Sequence, residues 1–317
     1  MSKAIRITII LLLLCVTNAR LMYVWDKEFE RSEDCGIEDT QKTSCFHRVH
    51  VQRLKKSIHR AEVDTVLFSF PQNELKRCSE RVVSTLRELR EEKVKVYQLY
   101  AASDAAFSEQ HMVQEVNRFN EHCGETFDGV AVNNEAFVKC CDDTCDQSQA
   151  LTFLENMKRT KDNASPLPFH FSIAWHWGDC SKKPFDITLD GITKSATQHM
   201  IDTADSVDVQ VAWSEAPEMI RRARVAGYSD SEKPFFVLAY TNKVEDCRLT
   251  FFPGECVVGD STEKGLFDAF EAVESELTSA KGGIHYYSDA FFSDLPGWPS
   301  CNSLRRGKTS TDALVPM

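Results

Sequence analysis

Eight short runs of apolar, β-branched or aromatic residues recur along the chain. They are residues 21–25 (LMYVW), 63–70 (VDTVLFSF), 94–100 (VKVYQLY), 127–132 (FDGVAV), 169–175 (FHFSIAW), 207–213 (VDVQVAW), 235–240 (FFVLAY) and 283–287 (GIHYY). Runs of this length and composition are typical of β-strands that are buried on both faces. The pattern therefore predicts eight strands.

Segments with helical spacing of apolar residues lie between most of these runs. They are residues 75–89, 112–119, 150–157, 192–201, 219–225 and 266–277. A strand that is repeatedly followed by a helix builds a parallel sheet covered by helices, and eight repeats match the number at which the sheet closes. The predicted fold class is α/β, a (β/α)8 TIM barrel.

The organisation of the 317 residues favours one domain, because no low-complexity segment or Pro/Gly/Ser-rich linker divides them. A doubly wound open sheet is the structural alternative. It predicts a glycine-rich phosphate loop after the first strand, but residues 26–31 are DKEFER. We therefore expect a single barrel over residues 20–317.

The first 19 residues have the features of a signal peptide. Lys3 and Arg6 make a basic start, residues 9–16 are apolar, and residues 17–19 (TNA) form a small-residue cleavage site. The apolar stretch is short for a membrane span, and no second long apolar run follows it. We expect a secreted protein that neither spans a membrane nor carries a lipid anchor.

The charge balance argues against a nucleic-acid partner. The chain has 48 acidic and 37 basic residues, and the signal peptide removes two of the basic ones. A surplus of carboxylates repels phosphate backbones, and no basic cluster interleaved with aromatic residues offsets it locally. Neutral or cationic ligands fit this chain better.

Cysteine usage agrees with export to an oxidising compartment. Without Cys15 of the signal peptide, an odd number of the 12 cysteines remains. Cys35 with Cys45 and Cys247 with Cys256 are the simplest local pairs, although spacing does not fix connectivity. Residues 140–145 (CCDDTC) suggest a metal site as an alternative to disulfides, but an exported chain favours disulfides, and we predict no metal and no cofactor.

One N-glycosylation sequon is present. Residues 163–165 (NAS) lie in the polar stretch KRTKDNAS, where we expect an exposed segment. A chance tripeptide is the alternative interpretation.

The predicted strand ends are rich in aromatic and polar residues, and in a (β/α)8 barrel the functional residues lie at these ends. The strand ends supply four of the five tryptophans. Pyranose rings stack on aromatic faces and hydrogen-bond through their edges, so this pattern predicts a carbohydrate site. The residues that we expect to bind substrate are Trp213, Trp175, Tyr287, Trp25, Asp26 and Glu215. For any single tryptophan, capping the barrel core is the alternative role.

The most specific segment is residues 127–135 (FDGVAVNNE). Side chains two apart on a strand point the same way, so Asn133 and Glu135 share the interior face with Ala131, while Val130 and Val132 face the helices. A carboxyl group at this position is placed to protonate a glycosidic oxygen, and we assign Glu135 as general acid. The alternative is a buried Glu paired with Arg or Lys.

This segment resembles the fourth-strand signature of the chitinase-like proteins of glycoside hydrolase family 18. The signature is an apolar residue, Asp-Gly, then alternating apolar and Asp/Asn positions that end in a catalytic Glu. The matching positions are Phe127, Asp128, Gly129, Val130, Val132, Asn133 and Glu135, and Ala131 stands where the family has Asp or Asn. The resemblance implies hydrolysis of N-acetylglucosamine-containing glycans, with one Glu acid, Asn133 facing the acetamido group, and the acetamido oxygen as nucleophile.

Three departures from the family leave two further hypotheses. Asn133 replaces the usual Asp, residues 211–214 (VAWS) replace Met-x-Tyr-Asp, and residues 97–104 lack Ser-x-Gly-Gly. One hypothesis is a non-catalytic lectin of the same fold. The other is a different barrel glycosidase, in which a second carboxylate lies roughly 5 to 10 Å from Glu135. The candidates for that second carboxylate are Asp26, Glu215 and Asp289.

Overall fold

A computed structural model describes residues 19–25, 39–103, 110–136, 147–178, 186–229, 233–244, 246–252, 262–288 and 291–296. Its strands are β1 (Arg20–Trp25), β2 (Val63–Ser69), β3 (Lys95–Ala102), β4 (Gly129–Asn134), β5 (Phe169–Ala174), β6 (Asp186–Leu189), β7 (Ile192–Ser195), β8 (Ser206–Gln210), β9 (Phe235–Ala239) and β10 (Ala280–Ile284). In the described ranges, eight of them close a barrel in the order β1-β10-β9-β8-β5-β4-β3-β2, and every neighbouring pair is parallel. This confirms the predicted (β/α)8 barrel.

Helices follow the barrel strands and cover the outside of the barrel. They are α1 (Asp39–Ala61), α2 (Gln72–Lys76), α3 (Glu80–Glu91), α4 (Gln110–His122), α5 (Gln147–Ala164), α6 (Ala196–Thr203), α7 (Ala216–Val225) and α8 (Glu263–Glu276). The strands are short apolar runs because both of their faces are covered, one by helices and one by the barrel interior.

The core consists of two layers. The larger cluster lies between strands and helices and includes Val130 and Val132. The smaller cluster fills the barrel interior, and its buried members are Leu21, Tyr23, Leu67, Leu99, Ala131, Phe236 and Leu238. The opposite assignment of Ala131 and its two valine neighbours confirms the alternation predicted for β4. The polar residues two and four positions beyond Ala131 therefore continue the interior face.

The last barrel strand begins and ends three residues earlier than predicted. The prediction was residues 283–287, and β10 is Ala280–Ile284. Its glycines have weak strand propensity but are required by packing. A Cβ on Gly282 would lie 2.4 Å from the Phe270 ring, and one on Gly283 would lie 2.6 Å from a Leu238 methyl carbon. The strand occupies this position because only glycine lets α8 and β9 approach so closely.

The prediction of one helix over residues 192–201 is wrong in its first half. β6 and β7 form an antiparallel hairpin, and α6 begins only at Ala196. Asp190 and Gly191 connect the two strands with positive φ angles of 53° and 78°. An Asp-Gly pair between two short strands favours this kind of turn, so the signal was present in the sequence. Ser195 then caps α6 by accepting from the Gln198 N–H.

The helix predicted over residues 75–89 is in fact two helices, and a disulfide lies at the break between them. Residues 75–89 divide into α2 and α3, and Ser79 caps the second helix by accepting from the Val82 N–H. Cys78 lies at the break, has a φ of 50° and is bonded to Cys123 at the end of α4. The other suggested pairs, Cys35 with Cys45 and Cys247 with Cys256, lie outside the described side chains.

Two surface features bear on the remaining predictions. No helix in the described part of the chain is long and apolar enough to cross a membrane. Asn163 of the sequon is exposed, but it lies in the last turn of α5 rather than in a loop, and its side-chain amide donates to the Arg159 carbonyl. Glycosylation at this position stays a prediction.

Candidate functional site

Glu135 lies directly after β4 at the carboxyl end of the barrel. Its backbone N–H donates to the Ala102 carbonyl at 2.8 Å, so the residue continues the pairing with β3 beyond the strand. Its side chain is half-buried, and Oε1 accepts a hydrogen bond of 3.3 Å from the Asn133 amide. Among the described Lys and Arg residues none forms an ion pair with it, so the structure gives no support to the alternative of a paired Glu.

Asn133 connects Glu135 to polar groups deeper in the barrel. Asn133 Oδ1 accepts from Gln210 Nε2 at 2.9 Å. Gln210 Nε2 also donates to Ser172 Oγ at 3.1 Å. Ser172 in turn donates to Asp208 Oδ1 at 2.5 Å. We call the chain Asp208, Ser172, Gln210, Asn133 and Glu135 the interior relay. It joins three neighbouring strands, because β4 pairs with β5 and β5 pairs with β8.

Asp208 is fully enclosed at the inner end of the interior relay. Besides Ser172, the Tyr23 hydroxyl donates to its Oδ2, and His170 Nε2 lies 2.7 Å from the same oxygen. Burial, followed by the charge of Asp208, raises the pKa of Tyr23, so this phenol stays a hydrogen-bond donor. Asp208 is a carboxylate satisfied from several directions and closed to solvent.

Aromatic residues line the interior beside the relay where the strands end. We call Trp25, Tyr240 and Tyr286 the aromatic mouth, and all three are half-buried. The Tyr286 ring centroid lies 5.9 Å from Trp25 and 5.4 Å from Tyr240. Tyr240 also donates through its hydroxyl to Gln210 Oε1 at 3.3 Å. The aromatic mouth and the interior relay are therefore one connected site.

His285 lies beneath the aromatic mouth. Its ring centroid is 4.5 Å from Tyr286, 4.9 Å from Tyr240 and 4.8 Å from Tyr23. Neither ring nitrogen has a hydrogen-bond partner in the described part of the chain. Burial lowers the pKa of His285 to about 4, although the charge of Asp208 opposes this shift. The imidazole is therefore neutral at physiological pH.

The Tyr240 phenol is held in its protonated form. Burial is the main cause of its raised pKa, and Tyr286 and the charge of Glu135 act in the same direction. The influence of Glu135 agrees with the hydrogen-bonded path that joins these residues through Gln210. At neutral pH the phenol remains a donor to Gln210 rather than a charged group.

Two of the predicted sugar-binding tryptophans lie at the neighbouring rim and contact arginine. The Arg222 guanidinium lies 4.4 Å from the Trp175 ring centroid and 4.3 Å from that of Trp213. It donates to the carbonyls of Val211 and Ala212 at 2.6 and 3.1 Å. We call Trp175, Arg222 and Trp213 the tryptophan–arginine stack. Both indoles are half-buried and engaged with the protein itself.

The other predicted site residues fall in different places. Tyr287 is only 2% exposed and stacks against Phe292 in the outer core layer, so it presents no face to a ligand. Glu215 is exposed and accepts from Trp213 Nε1 at 3.2 Å, which places it at the stack. Asp26 and Asp289 lie outside the described residues.

Asp128 has a structural role. Its carboxylate accepts from the Val96 backbone N–H at 2.8 Å, at the start of the strands and far from Glu135 along β4. The motif thus contains a structural carboxylate at one end of the strand and a half-buried one at the other.

Sequence reasoning missed several residues of this site. Asp208 and Gln210 alternate with valines in residues 207–211 (VDVQV), and this period of two marks polar groups on the interior face. Tyr240 follows Leu238 by two residues and shares its face by the same rule. No sequence pattern identifies Tyr286 as an interior residue. It lies beyond the end of β10 at Ile284, where side chains no longer alternate between the two faces of a strand.

The chemistry available at the site comes from one half-buried carboxylate, neutral amides, phenols and an indole. Asp208 is the second carboxylate of the interior relay, but it is enclosed and faces Tyr23, His170 and Ser172. Within the described ranges, no group of three or more His, Cys, Asp or Glu side chains is arranged to hold a metal ion. The arrangement suits acid–base chemistry at a single carboxyl group.

Comparisons with known proteins find similarity in the fold but not in the sequence. No protein-family model matches the chain, and no curated protein sequence is similar to it. Catalytic domain 2 of the Group II chitinase of Ostrinia furnacalis is 13% identical over 92% of this chain and 97% of that chain, with a TM-score of 0.51. The spore cortex-lytic enzyme SleL of Bacillus cereus is 9% identical over 90% of this chain and 73% of that one, with a TM-score of 0.49.

A third similar structure is the homocysteine methyltransferase MmuM of Escherichia coli. It is 11% identical over 90% of this chain and 98% of that chain, with a TM-score of 0.46. The chitinase domain is similar to this chain along nearly the whole length of both, and at that identity the similarity shows the (β/α)8 fold alone.

Proposed function

We propose that the chain is a glycoside hydrolase-like barrel that acts on N-acetylglucosamine-containing glycans, with Glu135 as its general acid. The observation that carries the proposal is the half-buried Glu135 carboxylate, which the Asn133 amide holds at the carboxyl end of the fourth barrel strand. Asn133 Nδ2 donates to Oε1, and within the described residues no hydrogen bond or ion pair engages Oε2. One oxygen of the acid is thus available to a ligand.

The lack of a second accessible carboxylate near Glu135, within the described residues, supports N-acetylated substrates. Asp208 is buried and saturated with donors, and no second carboxylate among the described residues is bonded to the relay near Glu135. In substrate-assisted hydrolysis the acetamido oxygen attacks the anomeric carbon while Glu135 protonates the leaving oxygen. The Glu135 carboxylate then takes a proton from the water that opens the cyclic intermediate. This mechanism requires one carboxyl group.

The aromatic mouth supplies the surface for sugar stacking in this proposal. Trp25, Tyr240 and Tyr286 are half-buried and connected to the interior relay through Tyr240 and Gln210. Aromatic faces beside a polar edge suit pyranose rings. From the sequence we also expected Trp175 and Trp213 to bind sugar, but both indoles already contact Arg222, so the proposal assigns the sugar to the aromatic mouth.

The test compares turnover and binding in one set of variants. The mature, oxidatively folded chain is given fluorogenic oligomers of N-acetylglucosamine and, separately, de-N-acetylated oligomers of the same length. Glu135→Gln should lower turnover of the acetylated set on the order of 10²- to 10⁴-fold. The matched control Glu121→Gln, on a side chain that is 71% exposed, should turn over at the wild-type rate. Equal turnover by the two variants would contradict the acid role.

A non-catalytic lectin is the second candidate function. The neutral Asn133 next to Glu135 favours it, because an amide stabilises a developing positive charge less than a carboxylate does. A lectin would bind the acetylated oligomers without turning them over, and Glu135→Gln would bind them as well as the wild type does. Failure to bind or cleave either set would contradict both candidates.

Secretion belongs to the same proposal and rests on the predicted signal peptide of residues 1–19. Expression of the full chain in a eukaryotic secretory host should release a product whose first residue is Arg20. Retention of the chain inside the cell with residues 1–19 still attached would overturn this part of the proposal.

A further inference from the structure

The interior relay has a fixed hydrogen-bond direction, and its origin is Asp208. Ser172 donates its only hydroxyl proton to Asp208 Oδ1 at 2.5 Å. Toward any further group, Ser172 Oγ is therefore an acceptor. Gln210 is one such group, and only its NH2 group can donate at the 3.1 Å contact.

The orientation of Gln210 determines that of Asn133. With its NH2 group facing Ser172, Gln210 also donates to Asn133 Oδ1, while its own Oε1 accepts from the Tyr240 hydroxyl. Both ends of the Gln210 amide are therefore specified. Asn133 must present its oxygen to Gln210 and consequently its NH2 group to Glu135.

We infer that Gln210 is a positioning residue for Glu135. The hydrogen bonds that begin at buried Asp208 orient the Gln210 amide, which in turn orients the Asn133 amide. Asn133 then holds Glu135 Oε1 and leaves Oε2 toward the ligand. The inference rests on the proposed function for its kinetic consequence. Its structural consequence, the orientation of Asn133 and Glu135, holds for an enzyme and for a lectin alike.

Gln210 and Asn133 are buried, so each depends on its protein partners for hydrogen bonds. Gln210 is 7% exposed and Asn133 is 3% exposed, so water does not readily replace a lost partner. If Gln210 loses its amide, Asn133 Oδ1 loses its donor, and the Asn133 amide is free to rotate. Glu135 then loses the contact that defines its position, and a small misplacement of a reacting group lowers turnover strongly.

The test uses Gln210→Met, which preserves length and removes the amide. Gln98→Met is the matched control, because Gln98 is also a fully buried glutamine on a barrel strand. Within the described residues, Gln98 donates to the backbone carbonyls of Phe70 and Leu99 and has no bond to the relay. We expect Gln210→Met to lower kcat for N-acetylglucosamine oligomers roughly 10- to 100-fold with KM within about threefold. Gln98→Met should retain the wild-type kcat and KM.

Ser172→Ala is the second variant, in case Gln210→Met does not fold. It removes the acceptor that orients Gln210 and should lower kcat in the same way but to a smaller extent. A wild-type kcat in a folded Gln210→Met or Ser172→Ala would overturn the inference. A fall in kcat that Gln98→Met shares would also overturn it, because the effect would then be one of general stability.

Crystal structures separate this inference from the proposed function. The distance from Asn133 Nδ2 to Glu135 Oε1 is 3.3 Å and should be kept in wild type and in Gln98→Met. In Gln210→Met we expect this contact to be broken and the Glu135 carboxylate to move. If the wild-type chain cleaves no oligomer, the hydrolase proposal fails while these structures still decide the inference. An unmoved Glu135 in Gln210→Met would overturn it.

Discussion

The interior relay lies on β4, β5 and β8, and the two tryptophans of the tryptophan–arginine stack follow the ends of β5 and β8, yet the two regions treat their polar groups differently. The relay connects its residues in one direction and ends in a half-buried carboxylate, one oxygen of which accepts from Asn133. In the stack, one guanidinium lies over both indoles and is itself bonded to backbone carbonyls. Both regions have a composition that suits sugar binding. They differ at the end of the relay, where Glu135 Oε2 has no hydrogen-bond partner in the part of the chain that the structure describes.

This difference teaches that strand-end composition identifies candidates, whereas the partners of each side chain decide among them. Tryptophan and glutamate at a barrel rim are equally compatible with a ligand site and with a self-contained structural cluster. The predictions below test whether the relay and the stack differ as this contrast requires.

Removal of Asp208 should have the largest effect on stability. Asp208→Ala leaves the Tyr23 hydroxyl, the His170 ring and the Ser172 hydroxyl buried without their acceptor. We expect the free energy of unfolding to fall by about 3 to 5 kcal/mol. Chemical denaturation measures the change.

A matched aspartate on the surface provides the comparison. Asp268 pairs with Lys264 on α8, and its side chain is 56% exposed. Asp268→Ala should cost less than about 0.5 kcal/mol. Equal losses in the two variants would mean that Asp208 is not the anchor of the relay.

His285 should make stability depend on pH. Its pKa is about 4 in the folded chain, whereas the pKa of a histidine in an unfolded chain is about 6.5. The unfolded chain therefore binds more protons between these values, and stability falls as the pH drops from about 6.5 to 4. The loss at pH 4 should be roughly 3 kcal/mol.

His285→Phe keeps an aromatic ring in place and should remove this part of the pH dependence. His122→Gln changes a histidine that is 63% exposed and should leave the profile as it is in the wild type. Denaturation curves across the window distinguish the two. A His285→Phe profile as steep as that of the wild type would contradict the buried, neutral state.

Loss of Arg222 should destabilise the stack without altering the relay. Arg222→Ala removes contacts with two indoles and two backbone carbonyls, and we expect a cost of about 2 kcal/mol. Arg221→Ala, at a position that is 49% exposed, removes a guanidinium that lies 5.3 Å from the Trp175 ring centroid and should cost less than about 1 kcal/mol. Oligosaccharide affinity should be unchanged in Arg222→Ala after correction for the folded fraction. A large fall in affinity would move the sugar site to the stack.

Affinity measurements on two tryptophan variants give the smallest expected effect and compare the two regions directly. Trp25→Ala removes one ring of the aromatic mouth and should weaken binding of N-acetylglucosamine oligomers roughly tenfold, or about 1.4 kcal/mol. Trp213→Ala removes a ring of the stack and should change the dissociation constant less than about twofold. Calorimetric titration measures both, and the reverse order would assign the sugar to the stack.

The fold was largely predictable from the sequence because its signal is repetitive. Eight apolar runs with intervening helical segments specify a barrel, and all eight strands are present. The errors occurred where local residues have more than one use. Gly282 was not recognised as a strand residue because packing, rather than propensity, requires it there. The Asp190-Gly191 turn lies just before the segment predicted to be helical, residues 192–201, whose first four residues form β7 instead.

The candidate site was predictable in part. The motif and its alternation identify Glu135 and Asn133, because both follow from position along one strand. The partners on other strands depend on register, which no local pattern provides. Ser172 meets Asp208 across the β5–β8 pair, and Ala174 is the register partner of Gln210. Tyr287 was chosen as an aromatic residue at the end of the predicted eighth strand, but β10 ends three residues earlier, at Ile284.

The most direct test of the central claim is a crystal structure of Glu135→Gln with an N-acetylglucosamine oligomer bound. The account predicts a sugar ring stacked in the aromatic mouth, with its glycosidic oxygen within hydrogen-bond distance of residue 135. A sugar seated only on Trp175 and Trp213, with residue 135 untouched, would contradict it.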